Sequence, residues 1–199
     1  LFRSYTYIIS HSAFGVRCIA APLNVAGEPK FHSAIVVRDD SPIKNLVDVN
    51  KRSIAFASEL SMSYWMSLYL LQNAGVSQPG KSAHFDHHED VVQKVLRGEF
   101  EVGSVKDVVA QRYLDQGLRI ITMSPEIPAV PIAVAESADA KLVELVTTAL
   151  LEITPDSTQN WDQEFSHGFA LVDDSDYNSM REILRALGHN PMSWSEVTE

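Results

Sequence analysis

Short runs rich in β-branched and small apolar residues alternate along this chain with longer stretches of helical spacing, and few folds accept that rhythm. Ala34–Val37, Ser53–Ala57, Leu118–Met123 and Pro131–Ala135 read as strands. Between and after them, Glu89–Arg97 places Val91, Val92, Val95 and Leu96 on one face and stops at Gly98. Ser104–Gln116 stops at Gly117, Ala138–Ile153 runs without a breaker, and Tyr177–Leu187 stops at Gly188. Strands that alternate with amphipathic helices predict an α/β architecture, with helices laid on a sheet.

The junction "FASELSMSYWMSLYLLQNAG" (56–75) is the most informative single stretch. A strand ends at Ala57, three serines follow at Ser58, Ser61 and Ser63, and an apolar helix then begins near Leu60. Serine oxygens at such a place accept hydrogen bonds from first-turn N–H groups that have no helical partner. The same hydroxyls can instead form one wall of an anion site, because the helix start carries about half a positive charge and free amide donors. Both readings stay open on these residues alone.

Composition narrows the function. With 16 Lys and Arg against 26 Asp and Glu, the net charge is −10 and no basic cluster occurs, which argues against nucleic acid as a partner. A small anion is still allowed, since local backbone dipoles rather than global charge can hold it. A single cysteine, Cys18, supports neither an internal disulfide framework nor a Cys-based zinc site. No apolar run is long enough to span a bilayer as a helix, and the sequence shows no signal peptide. The crowded "HFDHHED" (84–90) holds His84, Asp86, His87, His88, Glu89 and Asp90, but no His pair on a clear helix face, so a metal is not predicted. Enzyme signatures are missing too: there is no G-x-S-x-G elbow and no Walker A motif. No cofactor is expected.

Three segments carry a resemblance, in family order. "FHSAIVVRDDSPIKNLVDVNKRSIAFASELSMSYW" (31–65), "FDHHEDVVQKVLRGEFEVGSV" (85–105) and "GFALVDDSDYNSMREILRALG" (168–188) resemble segments of the phosphonate/phosphite-type solute-binding proteins of ABC transporters. The resemblance implies a type II periplasmic-binding-protein fold: two α/β lobes joined by two crossing strands, at Ile35–Arg38 and Pro131–Ala135. Residues 39–130 would form one lobe, and 1–38 with 131–199 the other. The family's opening βαβ segment lies ahead of the point where Leu1 aligns. Lobe one is therefore expected to be incomplete, with an unpaired edge and apolar face, so that the chain is a fragment or self-associates. "LFRSYTYIISHSAFG" (1–15) is expected at a strand end running into a short helix.

The implied function is non-enzymatic binding of a small phosphorus oxyanion, phosphonate, phosphite or phosphate, for delivery to an ABC permease. A ligand-sensing domain of a signalling protein is the alternative. The implied location is periplasmic, or membrane-anchored outside the cytoplasm. The implied ligand residues are Ser61, Met62 and Ser63, then His88 donating to a phosphoryl oxygen, with Tyr5, Tyr7, Glu101 and Asp107. Met62 stands where the family has Thr, and Tyr64 where it has Gly. For four of these positions a plainer role competes. Asp107 would close a capping box with Ser104 in "SVKD", Glu101 would be a surface residue, and Tyr5 or Tyr7 a core residue. His32 is expected at a hinge or pocket margin.

Overall fold

A computed structural model describes residues 2–76, 80–158 and 160–190. The chain opens with helix α1 (Ser4–Phe14) and strand β1 (Arg17–Pro22), then passes through the two-residue strand β2 (Lys30–Phe31) into β3 (Ser33–Arg38) and β4 (Ile54–Ala57). Helix α2 (Met62–Asn73), β5 (Ser82–Phe85), α3 (His88–Leu96), β6 (Val102–Lys106), the single-turn α4 (Asp107–Gln111) and β7 (Leu118–Met123) follow. After the two-residue strand β8 (Ile127–Pro128) come β9 (Ile132–Val134), α5 (Ala140–Leu151), β10 (Phe169–Ala170) and α6 (Asn178–Ala186). The chain forms two compact units: Leu1–Lys30 with Pro128–Glu199, and Phe31–Ile127.

That division moves the expected crossings. Ile35–Arg38 is not a connector but most of β3, which is hydrogen-bonded on both sides inside the sheet of the second unit. The chain changes unit earlier, at Lys30/Phe31, and returns at Ile127/Pro128 rather than after Val130.

The second unit is a five-stranded mixed sheet in the order β5-β4-β6-β3-β7. β4 is parallel to both β5 and β6, whereas β3 is antiparallel to β6 and β7. Because side chains alternate across a strand, each strand feeds two cores. Ala34, Val36, Ala55 and Val105 pack with Val91, Val92 and Val95 of α3 and with Val109 and Ala110 of α4. Ile35, Val37, Ile54, Phe56 and Val102 face Leu71 of α2 on the other side. Each large apolar side chain buried in this way contributes about 1.5–3 kcal/mol.

Two elements of this unit differ from the sequence expectation. The predicted helix over Ser104–Gln116 begins only at Asp107, because Val102–Lys106 is drawn into the sheet between β4 and β3. The expected capping box fails with it. Ser104 is a strand residue, and Lys106 occupies the N-cap without a side-chain capping bond. Tertiary pairing here outweighs a local signal.

The first unit is an antiparallel three-stranded sheet, β10-β1-β9, with α1, α5 and α6. Its first segment is helical from Ser4 and ends at Gly15, whose φ of 65° suits a glycine stop. The expected strand end is therefore replaced by three turns of helix, whose Tyr7, Ile8 and Ile9 are buried along with Tyr177, Met180 and Leu184. Helix α5 leaves much of its apolar surface in water, with Leu142 and Leu145 both more than half exposed.

Candidate functional site

The parallel strands β4, β5 and β6 all run toward one edge of the sheet, and their carboxyl ends deliver three helix starts to it. β3 is antiparallel, so its first residue, Ser33, and the preceding His32 arrive at the same edge. So does Ser124, at the end of β7, whose hydroxyl accepts from the Ser33 N–H at 2.9 Å. Ser58, Ser61, Ser63, His88, Lys106 and Asp107 are thus gathered along one rim of one unit.

The three serines of the junction have three different roles. Ser58 Oγ accepts from the Leu60 N–H at 3.2 Å, within the turn. Ser61 is the N-cap of α2 and its Oγ accepts from the Ser63 N–H at 3.3 Å. Ser63 is fully buried, yet its Oγ makes no hydrogen bond. A hydroxyl buried in this condition carries a desolvation cost of about 1–3 kcal/mol, which a ligand oxygen would offset. Met62 is buried through its side chain, which leaves its backbone as the polar group it can present.

Below the junction lies a cluster that sequence reading missed. Ser33 of β3, Ser67 of α2 and Ser104 of β6 are all fully buried. Ser67 Oγ and Ser104 Oγ lie 2.6 Å apart and Ser33 Oγ is 3.3 Å from Ser67 Oγ. Ser33 and Ser104 both donate toward the Ser63 carbonyl, at 3.3 and 3.4 Å. Hydroxyls from two strands thereby fasten the first turn of α2 to the sheet. The available signal was the spacing of Ser63 and Ser67, which puts both on one face of a helix.

His88 is the first residue of α3, half-buried, next to the N-cap His87, which makes no side-chain capping bond. Asp107 opens α4 and its N–H donates to the His32 carbonyl at 2.9 Å. His32 Nδ1 is 2.8 Å from the Ser124 carbonyl, which ties these rim segments together. Tyr64, in place of the family's Gly, turns its ring into packing. It sits edge-on to Phe56 at 5.2 Å and to His84 at 4.9 Å. Burial raises its phenol above the ordinary range, and nearby Glu59 adds to this.

Three expected ligand residues are not on this rim. Glu101 precedes β6 and lies opposite Ser53, at the amino ends of the parallel strands and so at the far edge of the sheet. There it accepts from the Ser53 N–H at 3.0 Å and pairs with Arg52 at 2.9 Å. The Ser53 backbone bond, followed by Arg52, holds its carboxyl below the usual range. A depressed carboxyl contributes stability that is present above its unfolded value of about 4.3 and is lost as pH falls through the lower folded value. Glu101→Gln should accordingly cost under about 1 kcal/mol, a partly exposed pair being worth little, and should leave ligand affinity unchanged by calorimetry.

Tyr5 and Tyr7 belong to α1 of the first unit. Tyr7 is fully buried; its hydroxyl donates to Asp174 Oδ1 at 3.1 Å and accepts from the Cys18 N–H at 3.4 Å. Burial drives this phenol well above the ordinary range, so the hydroxyl stays protonated. The Tyr5 hydroxyl lies 2.8 Å from His189 Nε2.

The fold has counterparts among known proteins. The structure of XAC2383 from Xanthomonas citri bound to ATP superposes with a TM-score of 0.71 at 16% identity, over 94% of this chain and 78% of that one. The same protein bound to chloride gives 0.73 at 17% identity, over 94% and 75%. A binding-protein component of an ABC phosphonate transporter, PA3383 from Pseudomonas aeruginosa, gives 0.70 at 15% identity, over 90% and 71%. At these identities the likeness is one of fold, that of two-lobed type II periplasmic binding proteins. The sequence profile of the phosphonate ABC transporter periplasmic substrate-binding proteins matches residues 1–177. With the match running from the first helix to the start of the last, this chain belongs to the phosphonate-type periplasmic substrate-binding proteins of ABC transporters.

Proposed function

We propose that this protein binds a small phosphorus oxyanion, phosphonate, phosphite or phosphate, without chemical conversion, and presents it to an ABC permease outside the cytoplasm. The observation that carries the reading is Ser63: a fully buried hydroxyl with no hydrogen bond, at the start of a twelve-residue helix and at the carboxyl end of a parallel strand. A helix start there favours negative charge, and the hydroxyl supplies a donor whose proton is not already committed. His88, at the start of the neighbouring helix, is assigned as a second donor. Ser61, already capping, and the Met62 backbone complete the wall on the α2 side. Asp107 is assigned to orient the rim through His32.

A thermal-shift panel of methylphosphonate, phosphite, phosphate, sulfate and ATP tests the reading. ATP is included because the XAC2383 fold holds it. A ligand present at 100 times its dissociation constant should stabilise the fold by about 2.7 kcal/mol. Ser63→Ala should weaken the bound phosphorus anion by on the order of 1 kcal/mol or more, with little change in stability without ligand. Affinity in calorimetry that is indifferent to this substitution would return Ser63 to a packing role.

A further inference from the structure

The rim described above has a charge problem. Asp86, Glu89, Asp90 and Asp107 surround the starts of α3 and α4, and Glu59 sits in the turn before α2. Arg112 meets Glu89 at 2.6 Å and His84 lies 3.5 Å from Glu59. Much of the positive charge of the unit lies elsewhere. Arg38, Arg52, Lys81 and Arg119 all fall at the opposite strand ends, where Arg52 also meets Glu101. An oxyanion held at this rim by dipoles and hydroxyls alone would face several carboxylates.

The geometry points to Lys106 as the residue that answers this, as the counter-ion of the bound oxyanion; this assignment rests on the reading of the Ser63 rim given above. Lys106 ends β6 at that rim, directly opposite Ser33 in the antiparallel ladder. Opposite residues in such a ladder project from the same face, as do residues two apart on one strand. Ser33 and Ser104 both reach the Ser63 carbonyl, so their face is the α2 face. Lys106 is therefore on the α2 face as well, one step of about 6.6 Å beyond Ser104 in the direction of the rim. Its ammonium lies 4.9 Å from the centre of the Phe31 ring, a cation–π contact. An ammonium is a compact charge with three rotatable donors, suited to an oxyanion whose orientation is fixed by other groups. Its long-range attraction favours a doubly charged phosphoryl group over a singly charged one.

Calorimetry with methylphosphonate and with inorganic phosphate, each at low and at high ionic strength, tests the assignment. Lys106→Met keeps an apolar stem against Phe31, so its melting temperature without ligand should match the wild type. Its affinity for both dianions should fall about tenfold or more, and its affinity should depend less on salt. Lys106→Arg should retain affinity within about threefold. Wild-type affinity and wild-type salt dependence in Lys106→Met would overturn the assignment. If Ser63→Ala weakens binding in the same experiments while Lys106→Met does not, the Ser63 reading stands and the lysine assignment alone falls. If the wild-type protein binds neither anion, both fall.

Discussion

Phe56→Ala is expected to remove about 3–5 kcal/mol from the stability of the second unit, a large part of the 5–15 kcal/mol that a domain typically has. Phe56 is 2% exposed, on the face of β4 that carries α2. Its ring is boxed by Tyr64 at 5.2 Å and His84 at 5.7 Å and shares a core with Leu71 and Val76. Truncation leaves a void that these rings cannot fill without moving the helix start that carries Ser63. The loss should appear as a lower urea midpoint with the slope preserved. A change of less than about 1 kcal/mol would mean that the rings repack freely, and that the rim is not rigidly supported from below.

Gly103→Val should have a comparable or greater effect, by the opposite route. Gly103 lies in β6 between β4 and β3, and a Cβ added there would sit 2.9 Å from Val95 Cγ2, 3.0 Å from Val91 Cγ1 and 3.1 Å from Val36 Cγ2. Carbon atoms at rest keep about 3.5–4.0 Å apart, so α3 cannot stay where it is. Overpacking by alanine should cost about 1–3 kcal/mol, and valine more, enough to deplete soluble protein. Since Gly103 is not in the left-handed region, the requirement is for space and not for backbone freedom. A double-mutant cycle separates the two: Val95→Ala should recover part of the loss in Gly103→Ala, with a coupling above about 0.5 kcal/mol. Strict additivity would refute the packing explanation.

Where hydrophobic spacing was unambiguous, the elements could be read directly. Leu118–Met123 has the bounds expected of it, and α3 and α6 differ from expectation by a residue at either end. β1 was invisible because "RCIAAP" contains one β-branched residue, and β5 because "SAHF" is a half-exposed edge strand held by its neighbour β4. The junction of serines was legible as a cap or an anion wall, but Ser58, Ser61 and Ser63 are chemically alike. Only their backbone geometry decides that Ser58 is spent on the turn, Ser61 on capping, and Ser63 on neither. Lys106 was hidden for a different reason. Its relation to Ser104 is an alternation of two, which has meaning only once Val102–Lys106 is known to be a strand. The resemblance carried residues such as Glu101 to the rim by alignment, and the sheet register places Glu101 at the other end.

The position of β3 has a consequence for the order in which the chain acquires structure during its synthesis. Ala34 pairs with Val105 and with Met123, partners made about 70 and 90 residues later. Until then β3 has neither neighbour in the sheet, and its apolar side chains on both faces, Ile35 and Val37 on one and Ala34 and Val36 on the other, lack the strands that hold them in place. Such distant pairing slows folding, because the intervening loop must be closed before any contact rewards it. The first unit waits longer still: β1 must find β9 and then β10, which follow the whole second unit in the sequence. The continuous unit, with the serine rim, therefore closes first, while the unit that begins the chain is the last to be finished.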